Sequence, residues 1–241
     1  MRSLTFAFAA AALSWCCLSA QLDTGGPLVG QGTPIGRVTG KPYSATQITN
    51  TAQTLANGTH IVRKTAYRVY QDDQGRFRTE PEAGGVSVIR DPVAMVNYSL
   101  DLVARSARKS VARSTGAEVA ARAMEIAMSQ RAREMTKRRG NVAVEDLGKQ
   151  LVNGVMASGV LITTTIPLGS IGNDQELKSV EERWFSDEIH ALVKSVVTDP
   201  RTGVYDYELI NIVRGAQDPA LFQIPAGFTV TTAPGPFIKQ P

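Results

Sequence analysis

Val96-Asn97-Tyr98-Ser99-Leu100-Asp101-Leu102 alternates apolar and polar side chains without a fault. Successive side chains of a β-strand point to opposite sides, so this segment turns one face to a core and the other to water. It closes a region, residues 43–111, that turn residues punctuate at short intervals: Asn57-Gly58, Asp72-Asp73-Gln74-Gly75, Gly84-Gly85 and Asp91-Pro92. Such clusters between strand-like runs are hairpin signals. Upstream, Ile61, Tyr67 and Val69 occupy odd positions of one long run and therefore share a face. The region reads as an antiparallel meander that is wet on one side.

Strand signals return after Gly140. Residues 151–155 and 160–166 flank a Ser158-Gly159 turn, and further strand-like runs cover 180–185 and 191–197. Asp199-Pro200-Arg201-Thr202-Gly203 is a strong turn, and beyond it Tyr205, Tyr207 and Leu209 alternate with Asp206 and Glu208. Residues 220–223 are expected to form a single helical turn.

Between the two strand regions the period changes. Thr115 and Glu118 form a capping box, Glu118 and Arg122 an i,i+4 pair, and Gly140 follows the basic last turn Lys137-Arg138-Arg139. These start and stop signals predict one helix over residues 115–139. Val119, Ala123, Met124, Ile126, Ala127 and Met128 give it a wide apolar arc. A sheet of about ten strands with one apolar face must cover that face, and this helix is the only obvious layer. The expected fold class is therefore α+β: a curved antiparallel sheet, a half-barrel, with one long helix in or across its concave face. A two-sheet sandwich with the helix outside is the alternative.

The chain has 241 residues, 43% hydrophobic and 20% charged, which excludes a disordered or fibrous protein and allows a real core. Arg2 followed by an apolar run and the small residues Ser19 and Ala20 reads as a signal peptide over residues 1–20. The expected order is then a Gly/Pro-rich linker at 21–42, a single antiparallel domain at 43–230 with the helix inserted, and a loose tail at 231–241. The protein is expected to be exported, periplasmic or extracellular, with no transmembrane span in the mature chain. Cys16 and Cys17 are the only cysteines and lie in the signal, so no disulfide, thiol nucleophile or Cys-ligated metal is expected after cleavage.

Formal charge is +4, from 26 Lys and Arg against 22 Asp and Glu. Residues 104–139 alone carry ten basic against three acidic side chains, leaving the rest of the chain acidic. Arg131, Lys137, Arg138 and Arg139 are candidates for contact with an anionic surface; export argues against nucleic acid as the partner. The Gly-rich run Gly30-Gln31-Gly32-Thr33-Pro34-Ile35-Gly36 lacks the strand, helix and Gly-Lys-Ser/Thr ending of a phosphate loop. His60 and His190 are the only histidines, and neither stands in a catalytic or metal-binding motif. Asp187-Glu188-Ile189-His190 reads as a surface turn. Met124, Met128, Trp184, Phe185 and Tyr98 are the candidate residues for an apolar ligand, since thioether and aromatic side chains make adaptable apolar surfaces.

Several longer stretches, Tyr70-Gln71-Asp72-Asp73-Gln74-Gly75-Arg76-Phe77-Arg78-Thr79-Glu80, Ile89-Arg90-Asp91-Pro92, Ile166-Pro167-Leu168-Gly169 and Asp218-Pro219-Ala220-Leu221-Phe222-Gln223-Ile224-Pro225, resemble a family of uncharacterised exported bacterial proteins. More distantly, the layout is similar to the half-barrel of periplasmic lipoprotein carriers and of the envelope-stress regulator domain built on that fold. The first resemblance implies no catalytic residues; the second implies lipid or lipoprotein binding. The expectation is an exported non-enzymatic module, without cofactor or metal, that binds a lipid, a lipoprotein or another apolar ligand. The alternative is a structural or regulatory domain that contacts a cell-envelope protein and fills its own concavity.

Overall fold

The computed structural model describes residues 38–111 and 141–232. They form one open sheet of twelve strands. The N-terminal half is a meander: β1 Tyr43–Thr54, β2 His60–Gln71, β3 Phe77–Pro81, β4 Val86–Asp91, β5 Val96–Asp101 and β6 Ser106–Val111. The second half comprises β7 Val142–Val152, β8 Val155–Ile166, β9 Leu177–Ser186, β10 Ala191–Asp199 and β11 Gly203–Arg214, then a 3-10 turn, Pro219–Phe222, and β12 Thr229–Thr232. Across the sheet the order is β12-β6-β5-β4-β3-β2-β1-β11-β10-β9-β8-β7. All pairings are antiparallel except that of β12 with β6. The two meanders meet at a seam where β1 lies between β2 and β11, Gln47 facing Tyr67 on one side and Leu209 on the other.

The turns follow from local chemistry. Asp91 Oδ1 accepts from the backbone N–H of Val93 and Ala94, and Asp101 Oδ1 accepts from Val103 and Ala104. Each aspartate thus satisfies the donors of a tight four-residue connection, as short acidic side chains do in turns. Asp101 consequently ends β5, and Leu102 belongs to the turn. The predicted Ser158-Gly159 turn is also displaced. β7 and β8 are joined at Asn153-Gly154, both with positive φ, and β8 runs straight through Gly159. An Asn-Gly pair suits the mirror-image turn that matches strand twist.

Burial is unevenly placed. On one face of the sheet Tyr43, Ala45, Gln47, Val69, Gln71 and Phe77 alternate inward from β1 to β3. This face continues across the seam through Tyr207, Leu209, Val193 and Ala191 to Trp184, Ala157 and Val155, all part of one cluster. The residues lie near the end of the sheet where the β7–β8 and β9–β10 turns stand. The opposite halves of β2 and β7 are largely exposed, and those of β8 and β9 are mostly half-buried. In β4–β6 the buried side switches to the other face, which carries Ile89, Leu100 and Ala107. Phe222 of the 3-10 turn covers them, with Leu221, Ile224 and Phe228 packed around.

The fold class expected from sequence is corrected on this basis. The described residues are all-β, with twelve strands rather than ten and no α-helix among them, so the α+β arrangement of a half-barrel holding a long helix is not supported. The physical reason is the switch of faces. Apolar residues are divided between two sides of the sheet, and the chain's own residues 218–228 cover the second patch. The buried side is therefore not the same throughout the sheet, as the expectation of one apolar face assumes. The segment 115–139, the signal 1–20, most of the linker 21–42 and the tail from 233 lie outside the described residues.

Candidate functional site

A groove opens on the first face between β1 and β4, with a volume of about 220 Å³. Strand register builds it. Gln47 faces Tyr67 across β1 and β2, Thr79 faces Val88 across β3 and β4, and Phe77 faces Arg90 one pair further along. Each of these residues lines the groove, together with Val86. Its apolar walls are Tyr67, Phe77, Val86 and Val88; Gln47, Thr79 and Arg90 supply the polar positions. Alternation is what brings them together: all lie on the face opposite to that buried in β4–β6, so Val86 and Val88 remain solvent-facing where Ile89 is enclosed.

Beyond Gln47 the same face carries buried hydroxyls. Tyr43 and Tyr207 are fully buried, and burial raises both phenol pKa values well above the ordinary tyrosine range. Their OH groups, like the Oγ atoms of Ser195 and Ser186, have no hydrogen-bond partner. Tyr205 is held up more weakly, by burial first, while a hydrogen bond with Thr49 acts in the other direction.

The residues singled out from sequence are dispersed. Trp184 is buried in the first-face cluster, its indole N–H donating to Glu182 Oε1 at 2.5 Å. Its ring lies over Gly159, where a Cβ would sit 2.4 Å from Cζ3. Phe185 meets His190 edge to face, with ring centroids 5.3 Å apart. Tyr98 belongs to the second-face cluster. Trp184 and Phe185 are successive residues of β9 and point to opposite faces, and Tyr98 stands apart in β5. Met124, Met128, Arg131, Lys137, Arg138 and Arg139 lie outside the described residues. The groove residues have no local signature: one to three come from each of four strands, and only the register identifies them.

The histidines sit in turns. His60 Nδ1 is 3.0 Å from Thr54 Oγ1 at the β1–β2 tip, and His190 ends the β9–β10 turn with positive φ. In that turn Ile189 is buried, and Glu188 pairs with Arg214, tying the turn to the end of β11. Among the described residues no three His, Asp or Glu side chains gather as a metal site, and no helix is long and apolar enough to cross a membrane.

No family model and no curated protein matches the chain. Solved structures do. An uncharacterized conserved protein from Thermus thermophilus is 13% identical, over 80% of this chain and 91% of that one, with a TM-score of 0.43. In the Pseudomonas aeruginosa MucA/MucB complex the matched chain is 12% identical over 80% of this chain and 58% of its own, with a TM-score of 0.43. A LolA-superfamily protein from Nitrosomonas europaea is 8% identical over 78% of this chain and 92% of that one, with a TM-score of 0.31. These likenesses are distant, at 8 to 13% identity.

Proposed function

We propose that the chain is an exported, non-enzymatic binding module that holds an apolar ligand, the acyl chain of a lipid or lipoprotein, in the groove between β1 and β4. One observation carries this reading. A face lined by Tyr67, Phe77, Val86 and Val88 stands open to a volume of about 220 Å³ instead of being packed. Ligand sites usually enclose roughly 300–1,000 Å³, so the groove suits a single extended chain better than a bulky ring system. Each methylene withdrawn from water there contributes about 0.8 kcal/mol, enough for a chain of moderate length to bind without a specific charge contact.

The test is occlusion. Val88 is half-buried on the open side, so Val88→Trp fills the groove without entering either core cluster. Titration of the full chain with a fluorescent fatty acid is expected to give saturable uptake, and Val88→Trp to weaken it by about tenfold or more at unchanged melting temperature. Equal uptake by the two proteins overturns the reading.

A second reading, contact with an envelope protein, is favoured by β7. This eleven-residue strand ends the sheet, and Val144 and Leu151 are exposed along it. An extended peptide added to this edge would continue the ladder. Crosslinking from Leu151 that recovers one protein and no lipid would distinguish it from the first.

A further inference from the structure

β4 forms the last wall of the groove, and beyond it the same face continues over β5 and β6 as a polar shelf. Register defines the shelf: Val88 pairs with Ser99 and Ser99 with Arg108, while Arg90 pairs with Asn97 and Asn97 with Ser110. Residues directly opposite in neighbouring strands point to the same side of a sheet, so all six lie on the groove face. Arg90 belongs to both regions, since it also lines the groove. Arg90, Ser99 and Arg108 are exposed, and Asn97 and Ser110 are half-buried.

The charge of this shelf is one-sided. The acidic side chains of β4 to β6 are Asp91 and Asp101. Asp91 alternates onto the opposite face with Ile89. Asp101 stands at the margin of the shelf, where its Oδ1 accepts from the backbone N–H of Val103 and Ala104. Two guanidinium groups therefore share the face with one carboxylate that already holds a turn together. Within the groove itself Arg90 is the only charged lining residue. Apolar walls that lead to a cationic outlet suit an amphipathic anion.

We propose that Arg90 and Arg108 hold the phosphodiester head of an anionic acyl lipid, whose acyl chain lies in the groove against Phe77, Val86 and Val88. The head-group site rests on the groove reading and adds a preference for charge and reach to it. A guanidinium presents its N–H donors as a planar fork that matches two phosphate oxygens, and such charge-assisted bonds are stronger than neutral ones. Neighbouring strands stand about 4.8 Å apart, so β4 and β6 are separated by about 10 Å. The carboxylate of a fatty acid ends at β4 and meets Arg90 alone. A phosphodiester with its glycerol continues over β5, where Asn97 and Ser99 offer partners to its hydroxyls, and reaches Arg108.

The experiment compares oleoyl-lysophosphatidylglycerol, oleate and monooleoylglycerol, each below its micelle concentration, as competitors of a fluorescent acyl probe on the full chain. The phosphodiester lipid is expected to bind about tenfold tighter than the neutral glyceride, with oleate between them. Arg108→Gln should remove the margin of the phosphodiester over oleate, and Arg90→Gln/Arg108→Gln should bring all three to the affinity of the glyceride. Both arginines are exposed, so these changes leave the two core clusters intact, which the melting temperature checks. Raising the salt from about 0.1 to 1 M shortens the screening length from about 10 to 3 Å and should narrow the same margin. Lys109→Gln removes an equal charge from the opposite face of β6, where Lys109 pairs with Tyr98, and should leave the order unchanged. Equal binding of the three ligands, a preference that survives the double substitution, or an equal loss with Lys109→Gln overturns the head-group site while the groove stands. Oleate that binds as tightly as the phosphodiester overturns the reach to Arg108. Absence of competition by all three overturns the groove itself, and the head-group site with it.

Discussion

Gly159 has no side chain because Trp184 occupies the space that one would need. The residues face each other across β8 and β9, and a Cβ at 159 would stand 2.4 to 2.7 Å from three ring carbons. Gly159→Ala must displace a ring already fixed by its bond to Glu182 and by the core around it, and such overpacking costs about 1–3 kcal/mol. Urea unfolding should show that loss, and Trp184 emission should shift to the red as the ring is forced outward. Asp199 is a second residue with a measurable consequence. Its carboxylate accepts from the backbone N–H of Arg201 and takes two hydrogen bonds from the guanidinium, fixing the β10–β11 turn. The guanidinium bond is the main reason its pKa falls from 3.8 to about 2, burial opposing it. A depressed pKa stabilises the fold above the unfolded value, and that stability is lost as pH falls through the folded value. Asp199→Asn should therefore cost about 1–2 kcal/mol at neutral pH, the exposed side of Arg201 limiting the figure. The gap between the proteins should hold down to about pH 4 and close toward pH 2 in a series of urea titrations.

At the scale of elements, the C-terminal segment acts as a strap. Asp218 Oδ1 accepts from Ala220 N–H and starts the 3-10 turn, Phe222 enters the second-face cluster, and Arg76 lies over its ring at 5.2 Å. Arg78, almost wholly enclosed, donates to the Leu221 carbonyl at 2.6 Å and pairs with Glu80. Arg78→Met keeps much of the volume but leaves that carbonyl without its charged donor. Hydrogen exchange should then quicken in residues 218–232 and stay unchanged in β1 and β11; a uniform change would mean that the strap is not a separate unit. These elements also show what the sequence makes legible. Asp199-Pro200-Arg201-Thr202-Gly203 and Val96 to Asp101 carry their own turn and alternation signals, and the structure keeps both. The first nine residues of β7 escape sequence reading because residues 142–150 are largely exposed on both sides and so have little alternation to read. Gly159 reads as a turn residue because a glycine that makes room for a ring and one that bends a chain look the same in one dimension. β12, four exposed residues, is defined only by the strand beside it.

At the scale of the whole molecule, the decisive property is which side of the sheet is buried, and no single strand reveals it. The periodicity of β5 correctly implies one wet face and one dry, but the dry face there is the opposite of that in β1 to β3. That inversion places Val86 and Val88 in an open groove. It also explains why the candidate site is out of reach of sequence reading: Gln47, Thr79 and Val88 are ordinary residues until register aligns them.

The seam between β1 and β11 has a temporal meaning as well. Synthesis delivers β1 first, yet its partner arrives about 150 to 170 residues later, roughly eight to thirty-four seconds at ordinary translation rates. Throughout that interval the first long strand offers a bare hydrogen-bonding margin beside Tyr43 and Ala45, and neighbouring nascent chains can compete for it. Whatever escorts the polypeptide during that wait determines how much of it reaches the native arrangement.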